Sequence, residues 1–430
     1  MLKNQLFLNQ KTLAIPTIFF IFFLFFSNKG FSNIVNDTIT FNQYKGIVID
    51  SNTKKPLIFA SLSVNETNIS TVTNSQGEFL LKVPVSYKNN YITVSFLGYT
   101  SKVINVTGLK PTKNTIRLET YIEELSEVEI NVKDALSLVQ KVLKKKGDNY
   151  ITDYTDMDAF YRETIKKRRT YVSLSEAVVE INKQPYTNAR RDIIKLYKSR
   201  KSTDYNRLDT VAFKLKGGPF NTLYLDIMKN PSMFFTDEMD EKYDFTFGKS
   251  TKIDNRPIYV VNFKQKRNVD EPLFYGKLYI DANSLALTSA IFQLNLENLP
   301  EATKLFILKK PRKARVYPTQ AAYRVDYQIK NNKWYYGYGR IQLSFKLNWD
   351  KKLFNTIYHT TMEMAVTNWE KSEVKNIIKP KERLRPSVIM SDEASGFSDP
   401  DFWGEYNVIE PEKPIESAIK KIQKQLRRRK

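Results

Sequence analysis

The sequence predicts a mainly β protein, with a seven-stranded N-terminal β-sandwich followed by a large antiparallel curved sheet or half-barrel and a few helices. Between residues 44 and 118, short alternating runs are separated by Gly, Pro and Asn turns at roughly 8–12-residue spacing, which is typical of a small sandwich. From about residue 150 the alternating runs are longer and follow one another directly, which indicates a large sheet or barrel. An aromatic content of 13% with only 14 glycines in 430 residues favours a β-rich chain.

The core of the sandwich is expected to come from alternating apolar residues. Ile47 and Ile49 are predicted to share one face of the first strand, and the later strands repeat the alternation. Those later positions are Leu62, Val64, Ile92, Val94, Phe96, Val103, Val106, Ile116 and Leu118. The turns are expected to use Gly46, Gly77, Gly98 and Gly108. We expect this segment to fold independently and without a metal ion.

Four blocks of residues occur in order within the same segment. They are Gly46, Val48 and Asp50; Pro56-Leu57 with Ala60, Leu62 and Val64; Thr73-Asn74 with Gly77 and Phe79; and Val94-Ser95-Phe96 with Gly98-Tyr99. The segment resembles the carboxypeptidase-regulatory-like domain, a transthyretin-like sandwich found before TonB-dependent receptor plugs and in many secreted Bacteroidetes proteins. The resemblance implies an architecture and a compartment, and no peptidase activity. Asn74 stands where that family commonly has Asp.

The rest of the chain divides into three parts. Residues 119–149 are predicted to be a linker and a helix, in which Asp134 caps a face of Leu136, Val139, Val142 and Leu143, with Gly147 past the end. Residues 150–397 are predicted to be a large antiparallel β domain. Residues 398–430 are an aromatic-acidic loop followed by a basic amphipathic helix.

The strands of the large domain are predicted from alternation and from their turns. They cover residues 160–165, 171–181, 192–196, 243–247, 258–264, 276–280, 286–293, 321–329, 334–347 and 356–367. The block from 259 to 287 resembles the lipoprotein-localisation carriers, whose half-barrel holds lipid. Pieces at 160–163 (FYRE), 175–177 (SEA), 214–219 (KLKGGP) and 401–412 (DFWGEYNVIEPE) resemble parts of Bacteroidetes carboxypeptidase-regulatory-like proteins.

The N-terminus predicts export. Lys3 and Lys11 precede a mostly apolar run from Leu13 to Phe26, and small residues at 30 and 32 follow, so residues 1–32 are interpreted as a signal peptide cleaved after Ser32. An uncleaved anchor is the alternative, although the run is shorter than the roughly 20 residues that a membrane span needs. Export places the protein in the periplasm or at the outer membrane. It also argues against a nucleic-acid partner, despite a formal charge of +22.

Composition excludes several kinds of chemistry. The chain has no cysteine and one histidine, His359, which leaves no thiolate zinc site or Cys nucleophile and nearly excludes a Ser-His triad. The acids Asp237, Glu238, Asp240 and Glu241 lack calcium-loop spacing. Asp156 and Asp158 are interpreted as strand-edge residues, and Gly248-Lys249-Ser250 lacks the upstream glycine of a P-loop. We therefore predict no catalytic, cofactor-binding or metal-binding residue.

Basic residues are the remaining candidates for binding. They group at 166–169, 190–191, 200–201 and 309–315, where they either block edge-to-edge aggregation or contact anionic lipid headgroups or acidic glycans. In the tail, Ile415, Ala418, Ile419, Ile422 and Leu426 recur at helical spacing, opposite a basic face. That helix is expected either to dock on the β domain or to contact an anionic membrane surface.

Three classes of function follow from these observations. The first is an exported, non-enzymatic envelope protein that binds a lipid, a glycan or another envelope protein, and a deep apolar cup would favour it. The second is a structural or assembly factor for an outer-membrane complex, docked through the sandwich. The third is a carboxylate-based hydrolase, which would need two carboxyl groups about 5–10 Å apart in a cleft.

Overall fold

The structure is a computed structural model that describes residues 40–121, 134–203, 216–235, 238–253, 256–306, 314–350, 353, 355–372, 378–396, 402–412, 415–417 and 420. The predictions for the signal peptide, the basic run 309–313 and most of the C-terminal helix lie outside these residues. Among the helices that are described, none combines the length and apolar character needed to cross a membrane.

The N-terminal part is a sandwich of two sheets. Its strands are β1 (Phe41–Asp50), β2 (Ser61–Val64), β3 (Ser70–Val72), β4 (Glu78–Pro84), β5 (Tyr91–Ser95), β6 (Lys102–Asn105) and β7 (Asn114–Leu118). One sheet has the order β4-β1-β7 and the other the order β3-β2-β5-β6, and only the pair β1 and β7 is parallel. Short 3-10 helices cover Val85–Tyr87 and Val106–Gly108. The prediction of a seven-stranded sandwich is confirmed.

The first strand departs from the prediction in two ways. Val48 lies in the core with Tyr44, whereas Ile47 is half-buried on the other side. Ile47 and Ile49 do share a face, but side chains alternate along a strand, and it is the opposite face that meets the other sheet. Gly46 lies inside β1 and not in a turn. Glycine is needed there because a Cβ would come within 2.4 Å of the Asn114 carbonyl oxygen.

The described strands from residue 155 onwards form one large sheet. Its strands are β8 (Thr155–Lys167), β9 (Thr170–Lys183), β10 (Ile193–Thr203), β11 (Tyr243–Phe247), β12 (Thr251–Ile253), β13 (Arg256–Gln265), β14 (Phe274–Asp281), β15 (Leu287–Leu294), β16 (Ala314–Lys330), β17 (Lys333–Trp349), β18 (Thr356–Lys371) and β19 (Ser395–Gly396). Their order is β11-β13-β14-β15-β16-β17-β18-β8-β9-β10-β19, with β12 beside β13. All pairs are antiparallel except β10 with β19. Within the described residues the sheet is open, with β11 and β19 at its two ends.

Local turn chemistry explains two of the hairpins. Asn331 and Asn332 both have positive φ, 49° and 58°, as a two-residue turn between β16 and β17 requires. Between β14 and β15, the Asp281 carboxylate accepts hydrogen bonds from the amides of Asn283 (3.1 Å) and Ser284 (2.7 Å). Both turns are where the sequence predicted them.

In the described part of the chain, these helices accompany the sheet: α1 (Ala135–Lys144), α2 (Lys146–Asn149), α3 (Pro219–Leu223), α4 (Met239–Lys242), α5 (Leu299–Phe306) and α6 (Met390–Glu393). Asp134 caps α1 as predicted, accepting from the amide of Ser137 at 2.7 Å. Leu138 is fully buried in place of the predicted Leu136. Gly147 lies past the end of α1, as predicted, and belongs to the short helix α2. Short 3-10 helices cover Pro231–Met233 and Pro380–Glu382.

One face of the large sheet, which we call the helix face, is filled by the chain itself. α1, α3 and the segment 224–235 supply apolar side chains that pack on this face, among them Leu138, Phe220, Leu223, Ile227, Met228 and Phe235. Buried Asp226 fastens the segment, because its carboxylate accepts from Lys183 (2.7 Å), Tyr186 (2.8 Å) and Tyr327 (2.9 Å).

The opposite face, which we call the sandwich face, is partly covered by the N-terminal sandwich. Residues 402–412, which we call the strap, lie between the two. Trp403 meets Phe160 of the sheet edge-on at 5.3 Å, while Val408 and Ile409 are buried with Val72 and Leu80 of the sandwich. The strap thus joins two layers that are far apart in the sequence.

Asn407 makes the most specific contact between the strap and the sandwich. Its side-chain oxygen accepts from the Lys82 amide at 2.7 Å, and its side-chain nitrogen donates to the Lys82 carbonyl at 3.1 Å. A second amide side chain, Asn74, accepts from the amides of Gln76 and Glu78 at 2.9 Å and donates to the Glu410 carbonyl at 3.0 Å. The carboxylate that the family commonly has at position 74 could not make that last bond.

Replacing Asn407 by alanine should lower the free energy of unfolding by about 2–4 kcal/mol, because it removes two buried hydrogen bonds to the Lys82 backbone. Urea denaturation measures the change. The exposed Asn42→Ala substitution in β1 is the matched control. Equal, small effects for both variants would contradict the role given to the strap.

Candidate functional site

A row of alternating charges crosses five neighbouring strands on the sandwich face. Arg200, Glu176, Arg162, Glu363 and Arg340 are register partners from β10 through β9, β8 and β18 to β17. We call this row the charge ladder.

Ion pairs connect each member of the ladder to the next. Glu176 lies 2.7 Å from both Arg200 and Arg162, and Glu363 lies 3.5 Å from Arg162 and 3.2 Å from Arg340. Burial opposes the ionisation of Glu176, but the two arginines outweigh it and hold the pKa of this carboxyl below its usual range. Glu176 is therefore ionised although it is buried.

The strap lies directly on the ladder. Arg162 donates to the carbonyl of Ile409 at 2.6 Å, and the guanidinium of Arg200 lies 4.7 Å from the centre of the Trp403 ring. The ion pairs leave an N–H donor of Arg162 available to bind this carbonyl, and they leave the face of the Arg200 guanidinium available to stack on the Trp403 ring. The ladder therefore fixes the strand register and the position of the strap together.

A groove opens on the sandwich face at one end of the ladder. Its volume is about 490 Å³, and we call it the cationic groove. Basic side chains dominate its lining: Arg162, Lys166, Arg168, Arg169 and Arg340. The other lining residues are Ser75, Thr164, Tyr171, Gln342, His359, Thr361, Glu363, Glu412 and Ile415.

The charges of the groove do not balance. Arg162 and Arg340 share Glu363 in the ladder, and Tyr171 donates to Glu412 at 3.1 Å. Among the described residues, no carboxylate pairs with Lys166, Arg168 or Arg169, so the groove carries five cations and two carboxylates.

Lys166, Arg168 and Arg169, which have no carboxylate partner in the described part of the chain, differ in exposure. The Lys166 ammonium lies 4.3 Å from the centre of the Tyr171 ring, which holds it against the groove wall. Arg168 and Arg169 are exposed in the turn between β8 and β9. The groove therefore has a buried, fixed base and an exposed basic rim.

His359 lies on β18 at the edge of the groove. Its Nδ1 is 2.9 Å from the hydroxyl of Ser344, which donates its own hydrogen to the Gln320 side chain at 3.1 Å. The Ser344 hydroxyl is thus also hydrogen-bonded to Gln320, whereas a nucleophile would direct its hydrogen at the imidazole that acts as its base. Partial burial and the charge of Lys166 lower the pKa of His359.

A second opening, which we call the cleft, separates the sandwich sheet β3-β2-β5-β6 from strands β13 and β15–β17. Its volume is about 480 Å³. Phe59 stands where the cleft meets the ladder: its ring lies 4.5 Å from the Arg340 guanidinium and 5.5 Å from that of Arg324, and it stacks on Tyr338 at 5.2 Å.

The acidic groups named from the sequence do not form a site. Glu238, Asp240 and Glu241 are exposed, and Asp237 lies outside the described residues. No group of three metal-ligating side chains occurs in the parts of the chain that are described.

Asp156 and Asp158 were wrongly expected at a strand edge. They lie on β8, an interior strand, and Asp156 accepts from Asn182 at 2.7 Å. Burial is the main cause that raises the pKa of Asp158 to about 6, and the nearby carboxylates Glu180 and Glu370 raise it further. A hydrogen bond with the Asn368 side chain lowers this pKa and partly offsets the increase.

The basic residues named from the sequence lie in different parts of the structure. Arg168 and Arg169 belong to the groove, and Arg190 and Arg191 are exposed elsewhere. Arg200 is buried in the ladder on a strand between β9 and β19, so its expected role at a sheet edge is wrong. In the tail, Ile415 is buried beside Leu174, as docking on the β domain requires.

Sequence reasoning did not single out Arg340 and Glu363, and it quoted Arg162 and Glu176 only as part of a resemblance. A signal was present, because each is a charged residue inside an otherwise apolar or aromatic strand pattern. Such residues in a central strand need partners on neighbouring strands. Only the register identifies those partners.

A comparison with protein families agrees with the N-terminal assignment. Residues 44–130 match the family model of the CarboxypepD_reg-like domain, which confirms the resemblance found from residues 44–118. No curated protein matches the sequence.

Three solved structures overlap with the chain. A LolA superfamily protein from Nitrosomonas europaea is 10% identical, with a TM-score of 0.24, over 58% of this chain and 99% of its own. Lipovitellin is 8% identical, with a TM-score of 0.26, over 59% and 28%. A DUF1329 family protein from Desulfovibrio piger is 10% identical, with a TM-score of 0.23, over 56% and 95%. The first is of the carrier class that residues 259–287 resemble; at these scores the overlaps carry no argument about a ligand.

One buried carboxyl on the helix face gives a test of the electrostatics. Glu163 accepts from the Tyr161 hydroxyl at 3.0 Å, and burial raises its pKa from 4.5 to about 7 despite that bond. Between these two pH values the folded state binds more protons than the unfolded state, so the free energy of unfolding falls as pH rises.

Glu163→Gln should therefore flatten the dependence of stability on pH between about 4.5 and 7 and should stabilise the protein above pH 7, by an amount on the order of 3 kcal/mol. Chemical denaturation of both proteins across this window measures the difference. The exposed Glu241→Gln should follow the wild type. A Glu163→Gln profile parallel to that of the wild type would contradict the assigned shift.

Proposed function

We propose that this protein is an exported, non-enzymatic binding protein of the cell envelope, and that the cationic groove holds a phosphate or carboxylate group of an envelope lipid or glycan. The observation that carries the proposal is the excess of charge: five cations line the groove with two carboxylates, and Lys166, Arg168 and Arg169 have no carboxylate partner among the described residues. An anionic ligand would supply what these side chains lack.

The base of the groove is organised before any ligand arrives. Arg162 and Arg340 are held by Glu363, so placing them against an anion costs little side-chain entropy. A guanidinium matches the geometry of a phosphate or carboxylate, while the Lys166 ammonium acts as a point charge. Thr164, Gln342 and Thr361 supply neutral hydrogen-bonding groups on the same walls.

The location of the groove also supports a ligand that comes from outside. It lies on the sandwich face, whereas the helix face is filled by the chain's own apolar residues. The groove therefore fits an anionic head group better than it fits an acyl chain. A protein that recognises only the head group can bind a lipid while the acyl chains stay in the membrane.

Replacing Arg168 and Arg169 together by alanine should weaken binding to vesicles of phosphatidylcholine with phosphatidylglycerol roughly thirty-fold at low salt, because each charge near such a surface contributes about 1 kcal/mol. Vesicle co-sedimentation at several salt concentrations measures the affinity. The exposed pair Arg190→Ala and Arg191→Ala removes the same charge elsewhere and should change little. Equal losses of vesicle affinity in both double variants would show that the vesicles attract the protein through its net charge alone, and would overturn the groove as the binding site.

Soluble probes distinguish the sources of the anion. Inorganic phosphate and a carboxylated polysaccharide should each compete with the vesicles if the group alone is recognised. Competition by the polysaccharide alone favours a glycan, and competition by phosphate alone favours a phospholipid. Breakdown of any of these probes by the protein would contradict the non-enzymatic part of the proposal.

Export is tested separately on protein produced in an envelope-containing host. N-terminal sequencing of the mature chain should begin at Asn33, since the sequence predicts cleavage after Ser32. An intact Met1 on protein recovered from the cytoplasm would overturn the predicted export. The ligand of the groove would then have to be a cytoplasmic anion.

A further inference from the structure

The cleft has one wall of hydroxyl groups. Ser61 and Ser63 of β2 are register partners of Ser95 and Thr93 of β5, and all four lie on the side of the sheet that faces away from the sandwich core. Leu62, Val64, Ile92 and Val94 fill that core from the other side. The alternation of the two strands therefore presents four hydroxyl groups to the cleft.

The other wall carries a fixed pair of opposite charges. The carboxylate of Asp326 accepts from Arg324 Nε at 2.7 Å and from the Ser289 hydroxyl at 2.5 Å. Both members of the pair remain partly accessible, with 17% and 22% of their side-chain surface exposed. Near them, Arg256 lies 3.5 Å from Asp281.

The charge of the cleft differs from that of the groove. Three cations line the cleft: Arg324 and Arg256 each have a carboxylate partner, and Lys330 donates to the Asn68 side chain. In the groove, three cations have no carboxylate partner among the described residues. The cleft therefore offers a polyanion less than the groove does. Hydroxyl groups and an arginine–aspartate pair offer donors and acceptors together, which is what a ligand with many hydroxyl groups requires.

We infer that the cleft is a second binding site and that it takes a neutral mono- or disaccharide. Its volume of about 480 Å³ lies within the range of pockets that hold small ligands. Phe59 and Phe96, both half-buried, add apolar surface for the C–H faces of a sugar ring. The inference does not depend on the cationic groove.

Phe59 acts as a positioning residue for this site. Its φ of 65° is unusual for an aromatic residue, and its ring lies between Arg324 and Arg340. Strained residues of this kind persist where the surrounding structure holds them, often beside binding sites. By holding the Arg324 guanidinium, Phe59 keeps the pair with Asp326 in place before a ligand enters.

The test is calorimetric titration of the full chain with neutral disaccharides of glucose, galactose, mannose and N-acetylglucosamine. At least one should bind the wild type, and Asp326→Asn should weaken that binding tenfold or more while keeping the side-chain volume. Ser63→Phe, on the opposite wall, should abolish it by filling the cleft. The exposed Asp240→Asn is the matched control and should bind as the wild type does.

The same titrations separate the cleft from the groove. The double variant Arg168→Ala and Arg169→Ala should bind the disaccharide as tightly as the wild type. Loss of sugar binding in this variant, or normal binding in both Asp326→Asn and Ser63→Phe, would overturn the cleft as the site. Failure of every neutral disaccharide to bind the wild type would overturn the inference altogether and would leave the groove proposal unaffected.

Discussion

The charge ladder across β10, β9, β8, β18 and β17 is the interaction on which the rest of the structure depends. A buried charge is costly unless it is paired, and removing one partner typically costs about 3–5 kcal/mol. A slip of one residue in any of these strands would move a charged side chain to the apolar helix face. The ladder therefore fixes the register of the central sheet, and through Arg162 and Arg200 it also fixes the strap and, with it, the sandwich.

Both candidate sites follow from how the sandwich covers one sheet face. The strap and strand β3 cover the middle of that face, where the ladder is neutralised. On one side, basic residues of β8 and its turn extend beyond the cover and meet few carboxylates, which produces the groove. On the other side, the sandwich overhangs β13–β16, where Arg256 and Arg324 each have an acidic neighbour, and the result is the cleft. Phe59 stands at the boundary and contacts arginines of both.

The helix face shows why a resemblance to lipid carriers does not by itself locate a ligand. A half-barrel implies an apolar concave face that an acyl chain could occupy. Here Phe220, Leu223 and Phe235 pack on the helix face, and Asp226, which follows the helix that bears the first two, accepts buried hydrogen bonds from Lys183 and Tyr186. The polar, accessible surfaces lie on the opposite face, so binding is proposed there.

The sequence by itself determined the seven-stranded sandwich, the long hairpins and their turns, because alternation and turn residues act over a few neighbouring positions. It determined the helix cap at Asp134 and the basic turn at Arg168 and Arg169 for the same reason. Only the tertiary structure decided that Arg162, Glu176, Glu363 and Arg340 form one row, that the strap fills the space between the two layers, and that Val48 faces the sandwich core. Those outcomes depend on strand order and register, and a pair such as Arg162 and Glu363, 201 residues apart, leaves no local pattern from which it could be predicted.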